Sequence, residues 1–342
     1  MREERTMISR KWSRFFGCNN ETDASSRSRR SRAFRPTATD RLEDRVVLSA
    51  AVAANFSDGL WRWEASSGWA RLSTFQASEI DIDDSGNVIG SFSDGQWRWT
   101  SSGGWQRLTQ AIPQRTELSG NGSFVGDFGS IGTWRWTPSG GWSRLTASDP
   151  TDLEVSDNGD VFGVYSDGTW RWSASAGWSR LTTSKPSEMV VDDAGRLYGD
   201  YDSIGTWLWS ASAGWSRLST ADTTDLAVSD NGELFGVYSD GTWRWTSSGG
   251  WSRITTSRAI EMDVSPTGNF FGDFGTSGGG TYRWNASSGW TSLTGLSSDS
   301  GGVSNTGDFF ADYGSNGLWR WNSSSGWTRL TASNPTLMAV RR

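Results

Sequence analysis

Histidine is missing from this 342-residue chain, and Cys18 is its only cysteine. Without imidazole there is no Ser-His-Asp triad, no Cys-His dyad, and almost none of the zinc or haem sites built on His and Cys. A single thiol forms no internal disulfide. Long apolar runs are missing as well. None approaches the about 18 residues that a membrane span needs, and mean hydropathy is -0.55, so no membrane insertion is expected. Basic charge is scarce outside the first fifty residues. Residues 1–50 hold 12 Lys+Arg against 7 Asp+Glu, whereas residues 51–342 hold 20 against 31, a net of -11. Nucleic-acid binding relies on clustered Lys and Arg that release counterions from phosphates, so an acidic body argues against a nucleic-acid partner. No cofactor and no metal is expected from this composition. What the chain has in abundance is tryptophan, 24 residues, and glycine, 42 residues.

Residues 1–50 carry Arg/Ser clusters such as Ser28-Arg29-Arg30-Ser31-Arg32, few apolar residues and no periodicity. They are expected to be disordered and to serve as a targeting segment. Leu42-Glu43-Asp44-Arg45-Val46-Val47-Leu48-Ser49-Ala50 resembles the Leu-Glu-Pro-Arg-x-Leu-Leu-Ser-Ala segment near the start of many planctomycete exported and surface proteins. Asp44 stands where that segment has proline, and Val47 where it has leucine. The resemblance implies export or a bacterial cell-surface location, with a cytoplasmic one left open.

A regular interval governs the rest of the chain. A Trp-Arg-Trp motif or its equivalent begins at Trp61, Trp97, Trp134, Trp170, Trp207, Trp243, Tyr282 and Trp319, at spacings of 36, 37, 36, 37, 36, 39 and 37 residues. Self-similarity at this period signals a repeat architecture. In the clearest copy, Leu153-Glu154-Val155 alternates, and Asp157-Asn158-Gly159 suits a tight hairpin. Val161-Phe162-Gly163-Val164-Tyr165 is β-rich, and Asp167-Gly168 turns the chain into Trp170-Arg171-Trp172. Gly177-Trp178-Ser179-Arg180-Leu181 closes the unit, giving four short strands. Period-two geometry puts the two indoles of Trp-Arg-Trp on one face and the guanidinium on the other. The indole pairs are expected between blades on an inner strand, with Arg62, Arg98 and Arg171 stacked on aromatics of the neighbouring unit.

The two ends of the array are complementary fragments. Val52 to Gly59 begins the array with a second strand, and Leu337-Met338-Ala339-Val340 ends it with a first strand alone. Joined, they complete an eighth unit and leave no unpaired sheet edge. The expected fold is therefore all-β: one eight-bladed β-propeller of four-stranded blades over 51–342, closed by the C-terminal strand pairing with the N-terminal strands. The strand order resembles WD40 blades. Trp178-Ser179-Arg180-Leu181 and Val161-Phe162-Gly163-Val164-Tyr165 are more similar to tectonin repeats. Asp83-Asp84-Ser85-Gly86-Asn87-Val88-Ile89-Gly90 is similar to bacterial extracellular Gly/aromatic repeats.

Catalytic carboxylates form a singular asymmetric pair, whereas the acids here recur in turns, so no enzymatic activity is expected. Asp81 to Gly86 has a calcium-loop look, but Phe92 occupies the position where such a loop needs glutamate, which makes it a hairpin turn. The third tryptophan of each unit is the candidate ligand-binding residue: Trp69, Trp105, Trp142, Trp178, Trp215, Trp251, Trp290 and Trp327. An indole on an outermost strand stacks on a sugar ring or covers the blade edge, and eight copies would add avidity. The tectonin resemblance implies a glycan-recognising, lectin-like binding protein, and the alternative is a protein-protein interaction scaffold. A monomer is expected. The Gly-rich stretch Gly275-Thr276-Ser277-Gly278-Gly279-Gly280-Thr281 is expected to be a flexible loop.

Overall fold

A computed structural model describes residues 50–341, so all but the last residue of the targeting segment expected over 1–50 lies outside the described residues. The chain forms eight four-stranded antiparallel sheets, one per repeat. Seven blades use consecutive strands. The first blade takes Ala51–Phe56, Gly59–Glu64 and Gly68–Ser73 from the start of the array and Leu337–Val340 from its end. That closing pairing is antiparallel, with Val52 opposite Val340, Ala53 opposite Ala339, and Asn55 opposite Leu337. We number the blades in chain order from this one and call their strands a to d. The first strands of neighbouring blades touch one another, so strand a lines the axis and strand d lies outermost.

Register explains why one sequence pattern serves every blade. In blade 4 the cross-strand partners Val155, Val161, Trp172 and Trp178 share one face, and Glu154, Phe162, Arg171 and Ser179 share the other. The first face packs on blade 3 through Val125 and Leu145, and the second on blade 5 through Met189, Leu197 and Trp209. Both faces are covered, so strand b reads as an almost unbroken apolar run, and Val161 and Phe162 are fully buried. Burying a Phe or Val stabilises by about 1.5–3 kcal/mol, and the ring repeats this in every blade.

The Trp-Arg-Trp motif sits on strand c, third from the axis rather than on an inner strand. Its second tryptophan lies between blades. Arg62 covers Trp99, Arg98 covers Trp136, Arg171 covers Trp209, and the series closes with Arg320 over Trp63, each guanidinium 5.2–5.5 Å from the ring centre. The one interruption is Leu208, which stands where the other blades have arginine and packs with Trp245. The first aromatic of each motif, tryptophan in seven blades and Tyr282 in the other, is only half-buried and lies at the rim.

A strand order of this kind puts the a–b and c–d turns at one end of the ring and the b–c and d–a connections at the other. The first end carries short turns. The second carries longer loops, including single 3-10 turns at Gly129–Ile131, Asp202–Ile204 and Gly314–Asn316. The stretch expected to be a flexible Gly-rich loop instead forms one helical turn, Gly275–Gly278. Gly279 ends it in the left-handed region and donates its N–H to Gly275 and Thr276 carbonyls.

Candidate functional site

The eight candidate tryptophans all lie on strand d and are half-buried. Each indole N–H is donated to a backbone carbonyl of the preceding blade. Trp178 reaches Leu145 at 2.9 Å, Trp215 reaches Leu181 at 3.1 Å, and Trp69 closes the ring on Leu330 at 3.0 Å. Trp105, Trp142, Trp251, Trp290 and Trp327 repeat the contact. Within its own blade each ring stands edge-to-face on the aromatic at the end of strand b, as in Tyr165–Trp178 at 5.5 Å and 89°. The indoles are thus joints between blades, with only part of each ring reachable from solvent. A repeated tryptophan marks such a joint and a ligand platform equally well in sequence, because the carbonyl that accepts the N–H lies 33–36 residues away, or 261 where Trp69 closes the ring.

The loop end has a different chemistry. Among the described residues the large apolar side chains left exposed are Phe75, Ile112, Ile131, Ile204, Ile260 and Leu296. Ile131 and Ile204 come from b–c loops and the other four from d–a loops, so all six share one end of the ring. Around them, at the outer rim, a strand-d arginine stacks on the first tryptophan of the motif. Arg71 lies 5.7 Å from Trp61, Arg107 5.6 Å from Trp97, Arg180 5.8 Å from Trp170 and Arg253 5.6 Å from Trp243. The aspartate of the b–c turn fixes each pair. Asp167 accepts the Trp170 N–H at 3.0 Å and lies 3.5 Å from Arg180. Scattered apolar residues on a surface are ordinary, but confinement to one end with a Trp and Arg rim is the composition of a binding surface. Sequence reading missed these residues because each sits singly in a loop. The signal was their common place in the repeat, before strand a or before strand c.

At the opposite end the a–b turns crowd the axis. Asp84 N–H donates to the Gly120 carbonyl at 3.1 Å, and Gly120 N–H to Asp157 Oδ1 at 2.9 Å. The Arg341 guanidinium reaches the Asp84 carbonyl. Burial, followed by the Asp157, Asp83 and Asp230 carboxylates, pushes the Asp84 carboxyl up to about 9, with Arg341 opposing. Asp84 therefore holds a proton at neutral pH, which removes its own charge from this cluster of acids.

No protein-family model and no curated protein matches the chain. Among solved structures it is similar to apo AztD from Citrobacter koseri, with TM-score 0.57, 12% identity, and coverage of 85% of this chain and 98% of that one. It is also similar to a eukaryotic initiation factor, at TM-score 0.56 and 12% identity over 84% of this chain and 85% of that one. A virginiamycin B lyase from Staphylococcus aureus matches at TM-score 0.46 and 12% identity, over 70% of this chain and 89% of that one. At such identities the likeness shows the fold alone: the chain is an eight-bladed β-propeller, a fold commonly used for binding.

The lyase corrects one expectation. Recurrence of acids around the ring argued that the chain is not an enzyme, yet that match shows that propellers can be enzymes, so the fold does not exclude catalysis. The physical reason is that a repeated scaffold leaves individual loop positions free to differ. Blade 5 illustrates it, since Asp200, Asp202 and Asp222 meet there in a combination absent from the other long-loop blades.

Proposed function

We propose that this propeller is a binding module that holds a protein partner on its loop end. The observation that carries the reading is the confinement of the six exposed large apolar side chains to that end, inside a rim of arginine-stacked tryptophans. Trp and Arg dominate the energetics of protein interfaces, because both combine wide apolar contact with a polar handle. In the four short-loop blades the rim pairs are already held in place by turn aspartates, so docking there orders few further side chains, which lowers the entropic cost of association. The surface-protein resemblance of Leu42–Ala50 supports a partner met outside the cytoplasm.

The test compares quantitative affinity capture from the native host by three forms of the full chain. They are the parent, a Phe75→Ser/Ile260→Ser variant at the loop end, and a Ser102→Lys/Ser175→Lys variant at the opposite end, in c–d turns. Both pairs are exposed, so folding should be kept. A partner lost only from the loop-end variant is the expected result. Equal capture by all three folded proteins would remove the loop end from consideration.

A further inference from the structure

Four blades carry the longer b–c loop, and in each the last residue of strand b is a buried aspartate: Asp127, Asp200, Asp273 and Asp312. In three of them the chain answers the carboxylate with its own donors. One oxygen accepts the N–H of the residue two positions on, from Gly129 to Asp127 at 2.9 Å, Gly275 to Asp273 at 2.7 Å and Gly314 to Asp312 at 3.0 Å. The other side meets the d–a loop. There the Asn334 amide, oriented to donate, reaches Asp312 at 2.9 Å. Ser297 hydroxyl and Ser298 N–H reach Asp273 at 2.7 and 2.6 Å. Asp127, which faces Asp149, has the Arg115 guanidinium at 3.4 Å.

Blade 5 breaks this pattern at both points. The residue two positions on is Asp202, the one non-glycine with positive φ (51°) among the described residues, and the d–a loop residue is Asp222. Asp200 is 1% exposed. Its Oδ2 accepts from Thr223 N–H at 3.2 Å and from Ser187 hydroxyl at 3.4 Å, while its buried Oδ1 has no hydrogen-bond partner. Asp200, Asp202 and Asp222 each bring an oxygen within 4.8 Å of the others. Among the described residues no arginine or lysine pairs with any of the three.

We propose that Asp200, Asp202 and Asp222 form a binding site for a hard divalent cation of the calcium class. A buried carboxylate with an unanswered oxygen, facing two more carboxylates, is a site short of positive charge. A proton neutralises one of the three, whereas a divalent ion attracts all of them. The donors are all oxygen, and the chain has no histidine to attract zinc. Asp202 and Asp222 are exposed, which leaves room for water to complete the about 6–8 ligands that calcium takes in irregular geometry. Bound there, the ion ties a b–c loop to a d–a loop and fixes the position of Ile204. The site stands on these contacts alone and is independent of the protein-partner reading.

The test is calcium titration of the full metal-free chain by calorimetry, with thermal melting alongside. Expected are one calcium per chain, a dissociation constant of about 0.1–1 mM as for extracellular modules, and a saturable rise in Tm. Asp222→Asn recreates the Asp312–Asn334 arrangement, so this variant should fold with a calcium-free Tm at or above the parent's. Its calcium affinity should be weaker by at least about tenfold. Asp149→Asn should bind as the parent does. Absence of heat and of any Tm rise at about 10 mM calcium, well above the range of such modules, would overturn the assignment. Unchanged binding by Asp222→Asn would overturn it equally.

Discussion

Gly168→Ala tests whether each blade is held by contact between its b–c turn and the end of strand d. Gly168 has φ +139°, and a Cβ placed there would lie 2.1 Å from the Thr182 carbonyl oxygen. The obstacle is backbone, pinned in the sheet, and cannot swing away as a side chain would. A residue forced into this glycine-only region costs about 1–3 kcal/mol, and overpacking adds about 1–3 more, for a total near about 4 kcal/mol. Gly177, nine residues on, supplies the control. Its φ is +70°, but nothing lies within 4 Å of the added Cβ, so alanine there costs only the left-handed penalty of about 1–2 kcal/mol. For a domain of this size about 1 kcal/mol corresponds to about 2 °C. Thermal melting of the full chain followed by near-ultraviolet circular dichroism should show Gly168→Ala lower by about 8 °C and Gly177→Ala by about 3 °C. Equivalent clashes of 2.1 Å at Gly59, Gly95 and Gly241 predict the same ranking in blades 1, 2 and 6. If Gly177→Ala falls as far as Gly168→Ala, the loss is conformational and the contact argument fails.

Trp178→Phe removes the N–H donated to Leu145 while keeping a ring against Tyr165. The unanswered carbonyl should cost about 1–2 kcal/mol, read as a fall of about 2–4 °C in Tm, and a neutral result would deny the indoles their role as joints. The raised Asp84 carboxyl predicts a pH effect. Because the folded chain holds a proton up to about 9, where free aspartate loses it near about 3.9, the fold binds more protons between those values. Stability must then decline as pH rises, by at most about 1.4 kcal/mol per unit from this group. Urea midpoints at pH of about 5, 6.5 and 8, within that window, should slope less in Asp84→Asn, and identical slopes would exclude Asp84 as the source.

The blade architecture was legible because its causes are local and repeated: Asp157-Asn158-Gly159 and Asp167-Gly168 dictate hairpins, and alternation dictates faces. Closure was legible from the matching fragments at Val52 and Leu337. The depth of each strand was harder to read. Alternation says which face Trp170 and Trp172 share but not how far strand c stands from the axis, so the inner-strand expectation failed. The candidate tryptophans were found by residue type, and their bonding to Leu145 and its equivalents depends on how one blade leans on the next. Asp200 and Asp222 are 22 residues apart, one at the end of strand b and the other in the d–a loop that leaves the blade. Aligning Gly129, Asp202, Gly275 and Gly314 as one column, beside Asp149, Asp222, Ser297 and Asn334 as another, would have exposed the anomaly, but only after the long-loop blades were recognised as a set.

The composite first blade also constrains the order of events during synthesis. Residues 51–73 leave the ribosome early and must wait, as a three-stranded sheet, while some 260 residues are added before Leu337–Val340 appears. Throughout that interval Ala51–Phe56, buried along its whole length in the finished ring, presents a bare apolar edge to any strand nearby. A nascent chain of this design is most vulnerable to mispairing while it is nearly complete. A stop codon just before position 337 should therefore yield aggregates, even though more than thirty strands of the protein would already have been made.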